Sequence, residues 1–224
     1  MTGGAKGRKD EWNDPPDRDD FGPETEIDPD TTRTRRRLER LRGVIARRQP
    51  DLRVVLENVH DRHNVSAVLR SCDAVGVDTV HLLYTLEKFP TIGRASSAGV
   101  GKWINLVHHS TVDDCFQRLS DDGCTVLATS LKREPRSLYA VDLTGPVALI
   151  FGNEHRGVSD EVAERADGTI RIPMMGFVES LNVSVACAVS LYEAYRQRSE
   201  RGLYDHPRLS ATEFEDRCES WSKR

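Results

Sequence analysis

The sequence lacks long apolar segments, has few aromatic residues (6%) and contains no paired metal-binding cysteines. Its longest apolar runs, such as residues 147–151, reach five to six residues, whereas a bilayer-spanning helix needs roughly 20. The five cysteines are scattered without a C-x-x-C pair, which predicts reduced thiols and no metal site. The first 20 residues have no apolar core of a targeting signal, so we expect a cytoplasmic protein.

The common nucleotide-binding and hydrolase fingerprints are also missing. No G-x-G-x-x-G motif follows the first predicted strand, and residues 96–102 (SSAGVGK) lack the leading glycine and trailing Ser/Thr of a phosphate-binding loop. No serine elbow, H-E-x-x-H motif or kinase signature is present. A standard dinucleotide or ATP site is therefore not expected.

What is present is one domain of ordinary composition with an uneven charge distribution. The 224 residues are 38% hydrophobic and 30% charged, enough for one sizeable core with short extensions. The net charge of −4 divides into −6 over residues 1–30, +7 over residues 31–48 and −5 over the remaining 176 residues. We expect residues 1–30 to form a disordered acidic tail. The basic block is either a phosphate-neutralising patch or a solvated helix face.

The periodicity of the apolar residues predicts an α/β domain. A basic amphipathic helix is predicted over residues 31–49, stopped by Pro50, followed by a domain over residues 51–198 and a C-terminal helical extension over residues 199–224. Within the domain, predicted strands and helices alternate, which favours a mostly parallel sheet with helices on both faces. The predicted strands cover residues 53–59, 79–84, 125–130, 147–151 and 169–172, and the predicted helices cover residues 65–75, 112–122, 159–166 and 181–198.

The first segment with chemical potential is LENVHDRHNVSAVLRSCDAVG, residues 56–76, read as strand, polar loop and helix. Asn64 stands where a helix N-cap is expected, and Arg70 follows nearly two turns later, able to place a guanidinium beside an anion. The alternative is structural. Asn64 then only caps the helix and Arg70 pairs with Asp73 on the next turn.

Two further segments follow predicted strands. Residues 151–159 (FGNEHRGVS) bracket a loop with two glycines, either an approach to a ligand or an ordinary tight turn before a helix capped by Ser159. Residues 170–189 (IRIPMMGFVESLNVSVACAV) pass through a methionine-rich turn into a helix of small residues, capped by Ser180 or Asn182. The methionines are alternatively core filler, and the small residues pack against either a partner subunit or the chain's own sheet.

These three segments, in this order, resemble the motifs of the SpoU class of RNA ribose 2'-O-methyltransferases, members of the SPOUT superfamily. The resemblance covers roughly residues 33–224, and it is closest to the members that methylate guanosine 18 of tRNA. The acidic tail departs from the pattern, and residues 86–98 have no clear counterpart.

The resemblance implies a C-terminal trefoil knot that binds S-adenosylmethionine, an exception to the rule that chains do not thread. It places the cofactor contacts at a strand end and in the second and third segments, on Thr129, Ser130, Gly152, Asn153, Glu154, His155, Arg156, Ile172, Met174 and Leu181.

The resemblance also assigns the catalytic set, which comprises Arg70, Asn64, Glu154, Ser180 and Asn182. Arg70 is implied as a general base, but a guanidinium is not normally deprotonated in proteins. Anchoring a phosphate and stabilising the developing alkoxide is the physically safer role. Asn64 would orient Arg70 or the substrate, Glu154 would shape the cofactor loop, and Ser180 with Asn182 would bracket the ribose.

The partners implied are tRNA and a second copy of the chain, with no membrane and no metal. The RNA is expected to be recognised mainly through its phosphates and 2'-hydroxyls. The contacts are expected at nine arginines near the two ends of the chain: Arg33, Arg35, Arg36, Arg37, Arg40, Arg42, Arg196, Arg198 and Arg201. The first hypothesis is therefore a tRNA guanosine-18 2'-O-methyltransferase. The alternatives are the same chemistry on ribosomal RNA and a non-catalytic RNA-binding protein on the same fold.

Overall fold

A seven-stranded parallel sheet forms the centre of the chain. The computed structural model describes residues 33–90, 100–131 and 134–224. Its strands are β1 (Gln49–Glu57), β2 (Val77–Leu83), β3 (Asn105–His109), β4 (Thr125–Thr129), β5 (Arg136–Ser137), β6 (Val147–Phe151) and β7 (Gly168–Arg171). They follow the order β3-β2-β1-β6-β4-β7-β5 in the sheet, and every pairing between them is parallel.

Helices cover both faces of this sheet, which confirms the predicted α/β class. They are α1 (Arg35–Ala46), α2 (Arg62–Ala74), α3 (Val112–Asp121), α4 (Asp160–Arg165), α5 (Val183–Glu200) and α6 (Ala211–Ser222). Alternate residues of β1 show the two-sided burial: Val54 and Leu56 belong to the core under α2 and α5, and Val55 to the core under α3 and α4. A strand buried on both faces reads as a continuous apolar run, as β6 does.

The helix α1 ends earlier than the sequence predicted. Its C-cap is Arg47, and Pro50 lies in β1, so the prediction that Pro50 stops the helix is wrong. The pairing of β1 with β2 shifts register between Gln49 and Arg53, and a proline without an N–H is tolerated at such an irregularity. The helix packs on α6 through a small hydrophobic cluster, separate from the cores on the two faces of the sheet, that includes Leu41 and Trp221.

Strands β3 and β5 were not predicted. Strand β3 is a five-residue edge strand with only partial burial, and β5 has two residues, so neither carries a strong apolar pattern. The expected acidic tail, residues 1–30, lies outside the described residues, as does most of the stretch that the resemblance left unaligned. No helix in the described ranges is both long and apolar enough to cross a membrane.

Candidate functional site

A pocket of about 510 Å3 opens at the carboxyl ends of three neighbouring strands, β4, β6 and β7. Hydrogen bonds hold these ends together: the Thr129 hydroxyl donates to the Ile150 carbonyl at 2.9 Å, and the Ser130 amide donates to the Ile170 carbonyl at 3.1 Å. Ligands of parallel sheets usually bind at this edge. All ten residues expected at the cofactor line this one pocket, from Thr129 and Ser130 through residues 152–156 to Ile172, Met174 and Leu181.

The loop after β6 approaches its own backbone closely. A Cβ atom on Gly152 would overlap with the backbone of Gly157, so only glycine fits at this position. The Asn153 side-chain oxygen accepts hydrogen bonds from the amides of His155 and Arg156, at 3.0 and 3.2 Å, and its amide donates to the Asn58 carbonyl at 2.8 Å. The loop is thus both the tight turn of the structural alternative and a wall of the pocket.

A network of hydrogen bonds joins all three segments found in the sequence. The Asn182 side-chain amide donates to Asn64 Oδ1 at 3.0 Å, and the Asn64 amide donates to Glu154 Oε1 at 2.9 Å. Glu154 also accepts from the backbone amides of His60 and Asp61, both at 3.1 Å. The network therefore connects the start of α5, the first turn of α2 and the loop after β6.

The carboxylate of Glu154 is charged in this arrangement. Burial opposes its ionisation, but the hydrogen bonds from Asn64 and from the backbone amides of His60 and Asp61 outweigh that effect and hold the pKa of Glu154 below its usual range. Glu154 also lines the pocket. The pocket wall consequently includes a fixed carboxylate charge at neutral pH, alongside the guanidinium groups of Arg156 and Arg171 and the carboxylate of Glu179. The Glu154 carboxylate would attract a cationic group of a ligand.

The third segment turns from β7 into α5 along the pocket wall. Ser180 lines the pocket, and Asn182 caps α5 by accepting a hydrogen bond from the Ser184 amide at 2.9 Å. Core filling is wrong for Met175, which is 95% exposed, whereas Met174 lines the pocket. The small residues Cys187 and Ser190 of α5 are buried within the chain, which supports the intramolecular alternative for that face.

Neither structural alternative for the first segment is found: Asn64 is not the N-cap of α2, and Arg70 does not pair with Asp73. The N-cap of α2 is Asp61, whose carboxylate accepts from the His63 amide, and Asn64 lies inside the first turn. Asp73 pairs with Arg48 and not with Arg70. Arg70 is exposed, has no hydrogen-bond or ion-pair partner among the residues described, and does not line the pocket of the same chain. The other four expected catalytic residues lie at or beside the pocket, and Arg70 does not.

The expected RNA-binding arginines divide into several groups. Arg198 is fully buried, where it pairs with Asp51 at 2.7 Å and donates to the Gly145 carbonyl at 2.6 Å, so its expected contact with RNA is wrong. Arg42 and Arg196 are exposed but engaged, Arg42 by both nitrogens with Glu215. Arg201 lies near Asp142, and Arg33 donates to the Ser222 carbonyl. The remaining four, on α1, are Arg35, Arg36, Arg37 and Arg40.

Sequence reasoning missed part of the pocket wall. Leu138 lines the pocket. It lies in a short 3-10 turn after β5, in a stretch of sequence without a periodic pattern. Ala186 and Ser190 were noted only as packing residues of the small-residue helix, and both line the pocket. Glu179, next to Ser180, also lines it and was not singled out. Only the presence of a carboxylate inside the third segment would have indicated Glu179.

Comparison with known proteins gives consistent matches. The SpoU rRNA methylase family matches residues 51–192, which contain all three segments. The tRNA (guanosine(18)-2'-O)-methyltransferase of Thermus thermophilus is 47% identical over 192 residues, 86% of this chain and 98% of that protein. The crystal structure of the Aquifex aeolicus TrmH/SpoU tRNA modifying enzyme has a TM-score of 0.78 at 41% identity, over 83% of this chain and 94% of that chain. An AdoMet-bound rRNA methyltransferase from Sinorhizobium meliloti aligns at 28% identity with a TM-score of 0.60, over 70% of this chain and 59% of that chain.

Proposed function

Because the chain belongs to the SpoU methylase family, we propose that it transfers a methyl group from S-adenosylmethionine to the ribose 2'-hydroxyl of guanosine 18 in tRNA. The single observation that supports this most is the hydrogen-bond network from Asn182 through Asn64 to Glu154, because it joins all three family segments at one pocket. The relatives with this activity are similar over most of the chain, beyond the methylase region alone.

The residues that line the pocket suit S-adenosylmethionine. Apolar side chains such as Leu138, Ile172 and Leu181 suit the adenine. The charged Glu154 suits a cationic ligand. Residues 152–156, with Thr129 and Met174, would hold the cofactor. When bound, it supplies a methyl group on a sulfonium centre, which needs no activation by the protein.

The task of the protein is then to align the ribose and to manage the proton of its 2'-hydroxyl. Ser180 and Asn182 lie on the pocket wall between the loop after β7 and α5, where they would contact the ribose. Asn64 lies outside the wall and hydrogen-bonds both Asn182 and Glu154, so it acts as a positioning residue.

Arg70 would hold a phosphate of the RNA and stabilise the developing alkoxide. Its side chain is exposed and has no partner among the described residues, which leaves all its donors available to a phosphate. Because Arg70 does not line the pocket of its own chain, it reaches the reacting ribose through the bound RNA or from a second copy of the chain. A phosphate oxygen or water takes the proton.

We further propose that the protein is a cytoplasmic homodimer. The inner face of α5 is used within the chain, but its outer face exposes Val185 and Tyr192, at 46% and 54%. These positions are seven residues apart and share one helical face. Sedimentation of the wild type and of Val185→Glu would test the dimer, and a monomeric wild type would contradict it.

Phosphate contacts are proposed for α1. Arg37 and Arg40 are exposed on this helix, and neither guanidinium group has a partner among the described residues. Two such guanidinium groups within one turn can follow an RNA backbone. The packing of α1 on α6, including the Arg42–Glu215 pair, fixes the helix so that Arg37 and Arg40 face solvent.

The decisive experiment is methylation of unmodified tRNA by the purified protein with labelled S-adenosylmethionine, followed by mapping of the modified nucleotide. A 2'-O-methyl group at guanosine 18 is expected. Methyl transfer to a base, or to ribosomal RNA only, would overturn the proposal. In the same assay, Arg70→Ala should abolish turnover with cofactor affinity retained, and Arg70→Lys should keep partial turnover if Arg70 anchors a phosphate. Loss of cofactor affinity in Arg70→Ala would show that Arg70 has a structural role.

A further inference from the structure

A second recess adjoins the pocket at the carboxyl end of β7. It has a volume of about 560 Å3, and five residues line both cavities: Leu131, Arg171, Ile172, Met174 and Glu179. The two cavities are therefore continuous. Another recess, beside Trp103 and Trp221, shares no wall residue with the pocket.

The acceptor base must lie next to the pocket. The base and the 2'-hydroxyl are attached to adjacent carbons of one ribose, so a ribose aligned at Ser180 places its base within a few ångströms of that residue. Glu179 precedes Ser180 and lines both cavities. The adjoining recess is thus the cavity on the described surface that the base of a nucleoside positioned at Ser180 would enter.

The recess offers a carboxylate and a guanidinium between apolar walls. Glu179 and Arg171 are both exposed, and neither has a hydrogen-bond or ion-pair partner among the residues described. Leu131 and Val178, exposed by 59% and 61%, lie in the same recess. Apolar side chains can cover the faces of a base, and the charged groups can bind its edge.

A carboxylate distinguishes guanine from the other bases. Guanine presents two adjacent donors, N1–H and N2–H, which match the two oxygens of a carboxylate, and its O6 accepts from a guanidinium. Adenine and cytosine each pair one amino group with a ring acceptor, and uracil has one N–H between two carbonyls. A carboxylate would face a lone pair on each of these bases.

We propose that Glu179 is the residue that selects guanine as the acceptor base, by accepting hydrogen bonds from N1–H and N2–H, with Arg171 donating to O6. The inference rests on the proposed function and adds the determinant of base specificity. Glu134 also lines the recess but not the cofactor pocket, so it lies farther from the ribose.

The test compares tRNA transcripts carrying guanosine or inosine at the acceptor position, because inosine lacks only the N2 amino group. The wild type should favour guanosine by roughly tenfold in kcat/KM. Glu179→Gln should lower kcat/KM for guanosine by roughly 10- to 100-fold, and the preference over inosine should disappear. The affinity for S-adenosylmethionine, measured by calorimetry, should stay within about twofold. Glu161→Gln is the matched control, because Glu161 is exposed on α4 and lines neither cavity.

Three results would overturn the assignment. They are an unchanged guanosine preference in Glu179→Gln, loss of the preference in Glu134→Gln instead, and a loss of cofactor affinity that accounts for the whole effect. If the proposed function is wrong, the wild type will methylate neither transcript. That result would refute both the function and the assignment of Glu179.

Discussion

Replacement of Asn64 by aspartate tests the network that joins the three segments. Asn64 is buried, and its amide donates to Glu154 Oε1 at 2.9 Å while its oxygen accepts from Asn182 at 3.0 Å. Asn64→Asp keeps the shape and the acceptor but places a second carboxylate against the charged Glu154. Two like charges about 4 Å apart repel by about 4 kcal/mol at an effective dielectric constant of 20. Partial solvent exposure of Glu154 reduces this, and we expect a loss of about 3 kcal/mol in the free energy of unfolding at pH 8.

The loss should depend on pH in a defined direction. In the variant, repulsion raises the folded-state pKa of the carboxylate pair, so the penalty is complete above that raised pKa and shrinks as the pH falls toward about 4. In the wild type, the lowered pKa of Glu154 contributes stability above its usual value that is lost at more acidic pH. The first effect narrows the gap in stability between the two proteins from pH 8 to pH 5, whereas the second acts only below the usual glutamate pKa of about 4.3.

Thermal unfolding at several pH values measures this gap. A loss of about 3 kcal/mol corresponds to a decrease in Tm of roughly 6 to 12 °C for a domain of this size. Asn64→Ala removes the hydrogen bonds without adding charge, so its destabilisation should vary less with pH. Asn105→Asp, at an exposed position in β3, should change Tm by less than about 2 °C. A variant Asn64→Asp with wild-type Tm at pH 8, or with the same deficit at pH 5, would refute the reasoning.

Three other substitutions have expected outcomes. Gly152→Ala forces a Cβ into the Gly157 backbone, so it should lower the free energy of unfolding by about 1 to 3 kcal/mol and remove most of the cofactor affinity, both measured by calorimetry. Gly145→Ala is the control: no atom lies within 4 Å of the added Cβ, and both quantities should stay unchanged. Arg198→Met breaks a buried ion pair and should lower the free energy of unfolding in urea by about 3 to 5 kcal/mol, and a loss below 1 kcal/mol would show that the buried pair is dispensable. Arg40→Gln should reduce by about one the slope of log affinity for tRNA against log salt between about 50 and 300 mM, so an unchanged slope would remove Arg40 from the RNA surface.

The α/β fold was largely predictable because its strands are buried on both faces. A five-residue apolar run such as residues 147–151 is too short for a typical buried helix and is typical of an inner strand, and β6 covers the same residues. Edge strands have no such signature. Strand β3 was missed because its residues are only partly buried. Pro50 was misread as a helix stop, since sequence does not reveal that a register shift in β1 accommodates it.

The candidate site was predictable in membership but not in geometry. The resemblance carried by the three segments named ten residues that all line the pocket, and it did not name others such as Leu138 and Glu179. It did not reveal that Asn64 bonds both Glu154 and Asn182, because those partners are 90 and 118 positions away in the chain. Charge counting grouped Arg198 with the surface arginines, and only the packing of α5 against residues 49–51 and 143–145 made it an interior ion pair.

Sequence alone thus determined the class of the sheet and the chemistry of the segments, because local periodicity and residue type are properties of neighbours along the chain. Tertiary structure decided which polar groups meet, which arginines face solvent, and that a recess holding Glu179 adjoins the pocket. Those outcomes depend on how separate helices and strands pack, and contacts between residues far apart in the chain leave no mark on the pattern around either one.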